Sequence, residues 1–210
     1  MTVMPDPLQY AVDALYRGKP ILLLDDPDRE GEGDFVLAAE HAVGHPDRLR
    51  HHLRFGAEFC VAMPITHIER LLALPQHPYY GKKDPCNSYE RVDARTAHSG
   101  ISAADRALAI EALLYDRVPI SHPSSRLNTH GHTTPLGARP GGVLVRPGHT
   151  EGSLDLVLLA DLHPAAVISE VKDLETGDPM KGDRLLSFAR DLDLLVVPMQ
   201  GLIAYKRSVL

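Results

Sequence analysis

The tetrapeptide Ile21-Leu22-Leu23-Leu24 is apolar at every position, and the acidic stretch DDPDREGEGD follows it directly over residues 25–34. An apolar run this short and without a polar alternate reads as a strand buried on both faces, which demands covering layers above and below it. Further strands are read at 35–39, 59–63, 136–145, 167–171 and 194–197. Helical spacing of Leu8, Val12, Leu15 and Tyr16 predicts a helix over residues 7–17, stopped at Gly18. Others are expected around 46–54 and 66–73, and over 154–162 and 181–191. Ser102, with Asp105 three residues on, has the form of a helix N-cap and opens a helix through about Tyr115. Residues 75–89 and 121–135 read as polar loops. Strands and helices mix without strict alternation. That pattern points to an α/β (α+β) fold, a layered single domain over residues 1–210 with a mixed β-sheet flanked by helices.

The formal net charge is −6, and the 22 Lys and Arg are scattered, so the chain lacks the clustered basic face of a nucleic-acid binder. The first residues carry acids and no basic-then-apolar layout, and no apolar run approaches the ~20 residues that span a bilayer. Two cysteines make no disulfide framework, and a reducing cytoplasm is the expected compartment. The twelve histidines are expected mostly at the surface.

Six carboxylates crowd into residues 25–34, with Arg29 among them and glycines at 31 and 33. Like charges that close together call for a hard cation, although an acidic turn after a strand is also a common solvated feature. A calcium-loop spacing fails, because taking Asp26 as the first position puts Leu37 where a glutamate is required. A second cluster, Arg146-Pro147-Gly148-His149-Thr150-Glu151, can cradle a phosphate at a strand-to-helix junction, with His149 available to a metal. Three more features stand in chain order: Ser99-Gly100-Ile101-Ser102-Ala103-Ala104-Asp105-Arg106, the pair His130 and His132 around Gly131, and Glu170 at the end of an apolar strand.

Taken in order, DDPDREGEGD, SGISAADR, HGHTTPLGARPGGVLVRPGHTE, AAVISE and the closing LLVVPMQGLIAYKR resemble 3,4-dihydroxy-2-butanone 4-phosphate synthase of riboflavin biosynthesis, over about residues 10–207. The resemblance implies a lyase that converts ribulose 5-phosphate, through an enediolate, to formate and 3,4-dihydroxy-2-butanone 4-phosphate with Mg²⁺ or Mn²⁺. It also implies a homodimer with active sites at the interface. By position, Glu30 and His149 match the family's metal ligands. Arg29, Asp34, Ser99, Arg146, Gly148 and Thr150 match its substrate contacts. His132 and Glu170 match residues needed for catalysis, the histidine reaching across the interface, and Glu32 and Asp34 can share the proton transfers.

This sequence also departs from the family pattern. Gly31 stands where the family has asparagine, Pro147 where it has glycine, and His98 where it has threonine. An ungapped match puts Val61 at the family's cysteine, with Cys60 one residue earlier, so Cys60 is expected to point away from the site. Three readings follow. The first is a working synthase, and the second is a repurposed paralogue that applies the same chemistry to another substrate or product in a specialised pathway. The third is a non-catalytic homologue, which has no chemical need for so many retained acids and histidines.

Overall fold

The structure, a computed structural model, describes residues 4–77 and 85–209. Helix α1 (Asp6–Tyr16) leads into β1 (Ile21–Leu24) and β2 (Gly33–Ala38), and two 3₁₀ turns then precede α2 (Arg50–Phe55). Strand β3 (Cys60–Pro64) runs into α3 (Ile65–His67) and a π-helical turn over Ile68–Leu72. Next come β4 (Asn87–Ser88), β5 (Val92–Ala94) and α4 (Ala103–Tyr115), followed by β6 (Leu127–Thr129) and β7 (Thr134–Ala138). The chain ends through α5 (His149–Leu159), β8 (Ala166–Glu170), α6 (Gly182–Asp191), β9 (Val196–Pro198) and α7 (Met199–Ser208).

Seven strands form one mixed sheet in the order β4-β7-β3-β8-β2-β1-β9, and β5 pairs with β6 apart from it. Pairs β1–β9 and β3–β7 are parallel, while β1–β2, β2–β8, β3–β8 and β4–β7 are antiparallel. The period of two along each strand divides the side chains between two covering layers. Leu23, Val36, Cys60, Ala62 and Ile168 face one core with α1, α5 and α7. Leu37, Val61, Met63 and Val167 face a second core with α4, and Leu22 and Phe35 face a third with α6. All six residues of β2 are buried, as a central strand covered on both sides requires. No helix among the described residues is long and apolar enough to cross a membrane.

The expected elements recur, with four corrections. The polar stretch 121–135 contains β6 and the start of β7, and the strand expected over 136–145 ends at Ala138, before a 3₁₀ turn at Gly142–Leu144. Helix α5 begins at His149, five residues before the expected start. Its first turns bury Thr150, Glu151, Ser153 and Asp155, polar residues that an apolar pattern does not count. Helix α7 was not foreseen. Of the loop read over 75–89, residues 78–84 lie outside the described residues, while Asn87–Ser88 pairs with β7. The N-cap at Ser102 stands as expected, its Oγ accepting from the Asp105 N–H at 3.1 Å.

Candidate active site

The loop between β1 and β2 folds its acids around one arginine. Asp25, with a fully buried side chain, accepts from the N–H groups of Asp26 (2.8 Å) and Glu30 (3.3 Å). Arg29 Nη1 donates to Asp25 Oδ2 at 2.6 Å and to Glu30 Oε2 at 2.8 Å. Gly31 has φ +64° and its N–H donates to the Asp26 carbonyl, so glycine at this position fits the left-handed turn that closes the loop.

Strand register then gathers the remaining carboxylates. Asp34 on β2 pairs with Glu170 on β8. Glu32 and Glu170 share a hydrogen bond, and Lys181 Nζ lies 2.9 Å from Glu32. That hydrogen bond, burial and the neighbouring charges of Glu32, Asp34 and Glu30 push Glu170 up to about 8. Burial works against ionisation of Glu32, but the Glu170 carboxyl and the Lys181 ammonium outweigh it and hold its pKa below the ordinary value. Asp34 is raised by burial and by the charges of Glu30, Glu32 and Asp25, against the opposing effect of His149.

Helix α5 supplies the facing wall. Gly148 is its N-cap, and the guanidinium of Arg146 lies so close over this glycine that a Cβ would strike it. Arg146 Nη1 donates to Glu151 Oε2 at 2.6 Å, in a nearly water-free setting. Of the twelve histidines only His52 and His149 are buried. His149 Nδ1 lies 3.6 Å from Asp34 Oδ1, and its buried Nε2 has no hydrogen-bond partner among the described residues. Donor atoms of Asp25, Glu30 and His149 lie within 4.8 Å of one another. Two carboxylates and an imidazole with an unused nitrogen fit a divalent cation.

Most of these groups, though not Asp25, Glu151 or Lys181, border one cavity of about 330 Å³. Arg29, Glu30, Glu32, Asp34 and Glu170 line one side of it, with Arg146, His149 and Thr150 from α5 and its approach. Glu58, Cys60 and Cys86 complete the wall. Cys60 corrects the expectation drawn from the ungapped match: it faces the cavity on the same side of the sheet as Ile168, and Val61 lies in the opposite core. Burial pushes its thiol well above the ordinary pKa. Pro147 is exposed and outside the lining.

Gly148, the N-cap of α5, lies between lining residues without lining the cavity itself, and two expected residues stand farther off. His132 and Ser99 do not line the cavity, and both are exposed beside the Gly100 turn. His132 contacts Asp93 there. Asp25, Glu58 and Asp93 were missed as individual site candidates. Only Asp25 carried a sequence signal, as one of the six acids.

The sequence matches the family model described as 3,4-dihydroxy-2-butanone 4-phosphate synthase over residues 9–205. The chain belongs to this family. The riboflavin biosynthesis protein RibBA of Aquifex aeolicus is 37% identical over 205 residues, covering 95% of this chain and 48% of that protein. The chain thus spans about half the length of the RibBA relatives it matches. The 3,4-dihydroxy-2-butanone 4-phosphate synthase of Sodalis glossinidius is 33% identical over 205 residues, with 97% and 91% covered. Among solved structures, a 3,4-dihydroxy-2-butanone 4-phosphate synthase in complex with two magnesium ions superposes with a TM-score of 0.81. It shares 31% identity, with 97% of this chain and 98% of that one covered. The two-domain synthase RibBX from A. baumannii gives a TM-score of 0.85 at 32% identity, with 95% and 57% covered.

Proposed function

We propose that this protein is a divalent-metal-dependent lyase that converts ribulose 5-phosphate to 3,4-dihydroxy-2-butanone 4-phosphate and formate. The observation that carries this reading is the unpartnered Nε2 of His149 beside Asp25 and Glu30, in the same cavity as the Glu32–Glu170 pair. A Mg²⁺ or Mn²⁺ ion held by those three residues would place positive charge beside the sugar's carbonyl and neighbouring hydroxyl. Arg146, Thr150 and the N-terminus of α5 suit the phosphate, through charge-assisted contacts and exposed backbone N–H groups. Glu151 holds Arg146 in place for that task. Glu32 and Glu170 hold one proton between them, so one can accept a substrate proton while the other returns one. Asp34 pairs with Glu170 and lies 3.6 Å from His149, so it would face the same bound sugar.

The working unit in this proposal is a homodimer. Ile101, Leu108 and Tyr115 repeat every seven residues at the start of α4 and along it, and all three are exposed. His132 stands nearby, outside its own chain's cavity, and would complete the cavity of the partner. The paralogue reading has one observation in its favour. Glu58 adds a carboxylate to the cavity wall, although Cys60, by facing the same cavity, restores the cysteine that the family carries in this strand. Incubation with ribulose 5-phosphate and Mg²⁺, with formate and the four-carbon phosphate both quantified, separates the readings. Equal amounts support the synthase, and metal-dependent consumption without formate supports the paralogue.

A further inference from the structure

Lys181 stands at the N-cap of α6 and reaches back to the acidic loop between β1 and β2. Its Nζ donates to the Glu30 carbonyl at 2.7 Å and lies 2.9 Å from Glu32 Oε1. The carboxylates of Glu170 and Glu30 add negative charge close by. A backbone carbonyl and several carboxylates around one point make the all-oxygen surroundings that a hard divalent cation takes. Here a lysine ammonium, a compact point charge with three donors, stands at that point.

The backbone beneath the lysine is fixed. Met180 is buried with Leu22 and Phe35, and its N–H donates to the Val171 carbonyl at 2.8 Å. Lys172 pairs with Pro179 across a β-bridge, and Arg184 in the first turn of α6 lies 2.7 Å from Asp173. The Lys181 side chain is 51% exposed and outside the cavity lining, so it meets the acids from the rim. An ion pair at this exposure contributes little to stability. The loop also has other ties: the Asp25 N–H donates to the Glu32 carbonyl at 2.9 Å, and Gln200 Nε2 donates to Asp26 Oδ2 at 2.6 Å. What Lys181 adds is charge. Arg29 is committed to Asp25 and Glu30, and the donors of Asp25, Glu30 and His149 already form one metal group. Glu32 lies outside that group, and its cation is Lys181.

We propose that Lys181 is a positioning residue whose ammonium takes the place of a second cation at Glu32, so that each site holds one divalent ion, at Asp25, Glu30 and His149. This rests on the metal-dependent reading, but its readout is the number of ions bound and not turnover. The metal-stripped chain is titrated with Mn²⁺ by isothermal calorimetry, and the loaded protein is examined by electron paramagnetic resonance. The wild type is expected to bind one Mn²⁺ per chain, with the resolved hyperfine pattern of an isolated ion. Lys181→Met is expected to bind two, with a signal broadened by coupling between ions on either side of Glu30. Lys181→Arg keeps the charge and should return the count to one, a rescue that loss of a merely structural contact would not give. Should Lys181→Met fail to fold, Lys181→Gln, which keeps a donor without the charge, is expected to bind two. Two ions in the wild type, or one in the folded uncharged variant, overturns the proposal and leaves the metal-dependent reading standing. A wild type that binds no Mn²⁺ overturns both.

Discussion

Asp34 and Glu170 face each other across the antiparallel pair β2–β8, so two carboxylates sit side by side on one floor of the cavity. Glu32, two residues before Asp34, hydrogen-bonds the same Glu170. The register of two strands, together with the loop that carries Glu30 and Glu32, therefore concentrates negative charge on one side of the cavity. Charges this close cannot all ionise together, and the excess is relieved by a retained proton and by cations.

The retained proton makes stability depend on pH. Glu170 is raised from 4.5 to about 8, so between those values the folded protein holds a proton that the unfolded chain releases. Its contribution to stability is complete below about 4.5 and is lost as pH rises through about 8. Urea unfolding in EDTA across this window should show stability declining with pH, and Glu170→Gln should flatten the slope. An equal slope in the variant contradicts the shared-proton account.

Metal affinity should depend on the three donors gathered at the loop and at the start of α5. Glu30→Gln and His149→Gln are each expected to weaken Mn²⁺ binding by at least about 10-fold, read by isothermal titration calorimetry. Asp25→Asn should do so with a further loss of thermal stability, because the same carboxylate holds the backbone N–H groups of Asp26 and Glu30. Unaltered binding in all three variants would place the ion elsewhere.

Phosphate recognition should fail selectively at the start of α5. Arg146→Lys removes the planar two-pronged donor and is expected to raise KM about 10-fold with a smaller change in kcat. Gly148→Ala should act in the same direction, because the new methyl displaces the Arg146 guanidinium. A fall in kcat with KM unchanged would assign Arg146 to the chemical step instead.

A shared active site allows complementation. Glu30→Gln disables a cavity and His132→Gln disables what a chain offers its partner, so each homodimer should be inactive. Mixed and re-equilibrated in equal amounts, the two should recover about a quarter of the wild-type sites, since half the dimers are mixed and each holds one intact site. No recovery, with dimer exchange verified by mass, would contradict the trans role of His132.

Much of this was legible in the sequence because it is local. The apolar run Ile21–Leu24 stands as β1 with the expected bounds, and Ser102 caps α4 through the bond its spacing implies. The acid-rich loop and the Arg146–Glu151 turn converge on one cavity. Three-dimensional placement was not legible. Which of six acids joins Glu30 depends on which one the loop buries around Arg29, and that is Asp25. The facing of Cys60 depends on where β3 starts pairing with β7 and β8, and a gapless comparison does not see that register. The start of α5 was hidden because its inward residues are polar and held by partners, as Glu151 is by Arg146 and Asp155 by Lys206.

Formate release from ribulose 5-phosphate, followed while Mg²⁺ is titrated into metal-stripped wild-type protein and into Glu30→Gln, tests the central claim most directly. The account predicts that the rate of wild-type formate release rises from zero with metal, always at one equivalent per sugar consumed and matched by the four-carbon phosphate, and that Glu30→Gln stays near zero over the same titration. Formate production that ignores the metal, or that survives in Glu30→Gln at the wild-type rate, would contradict it.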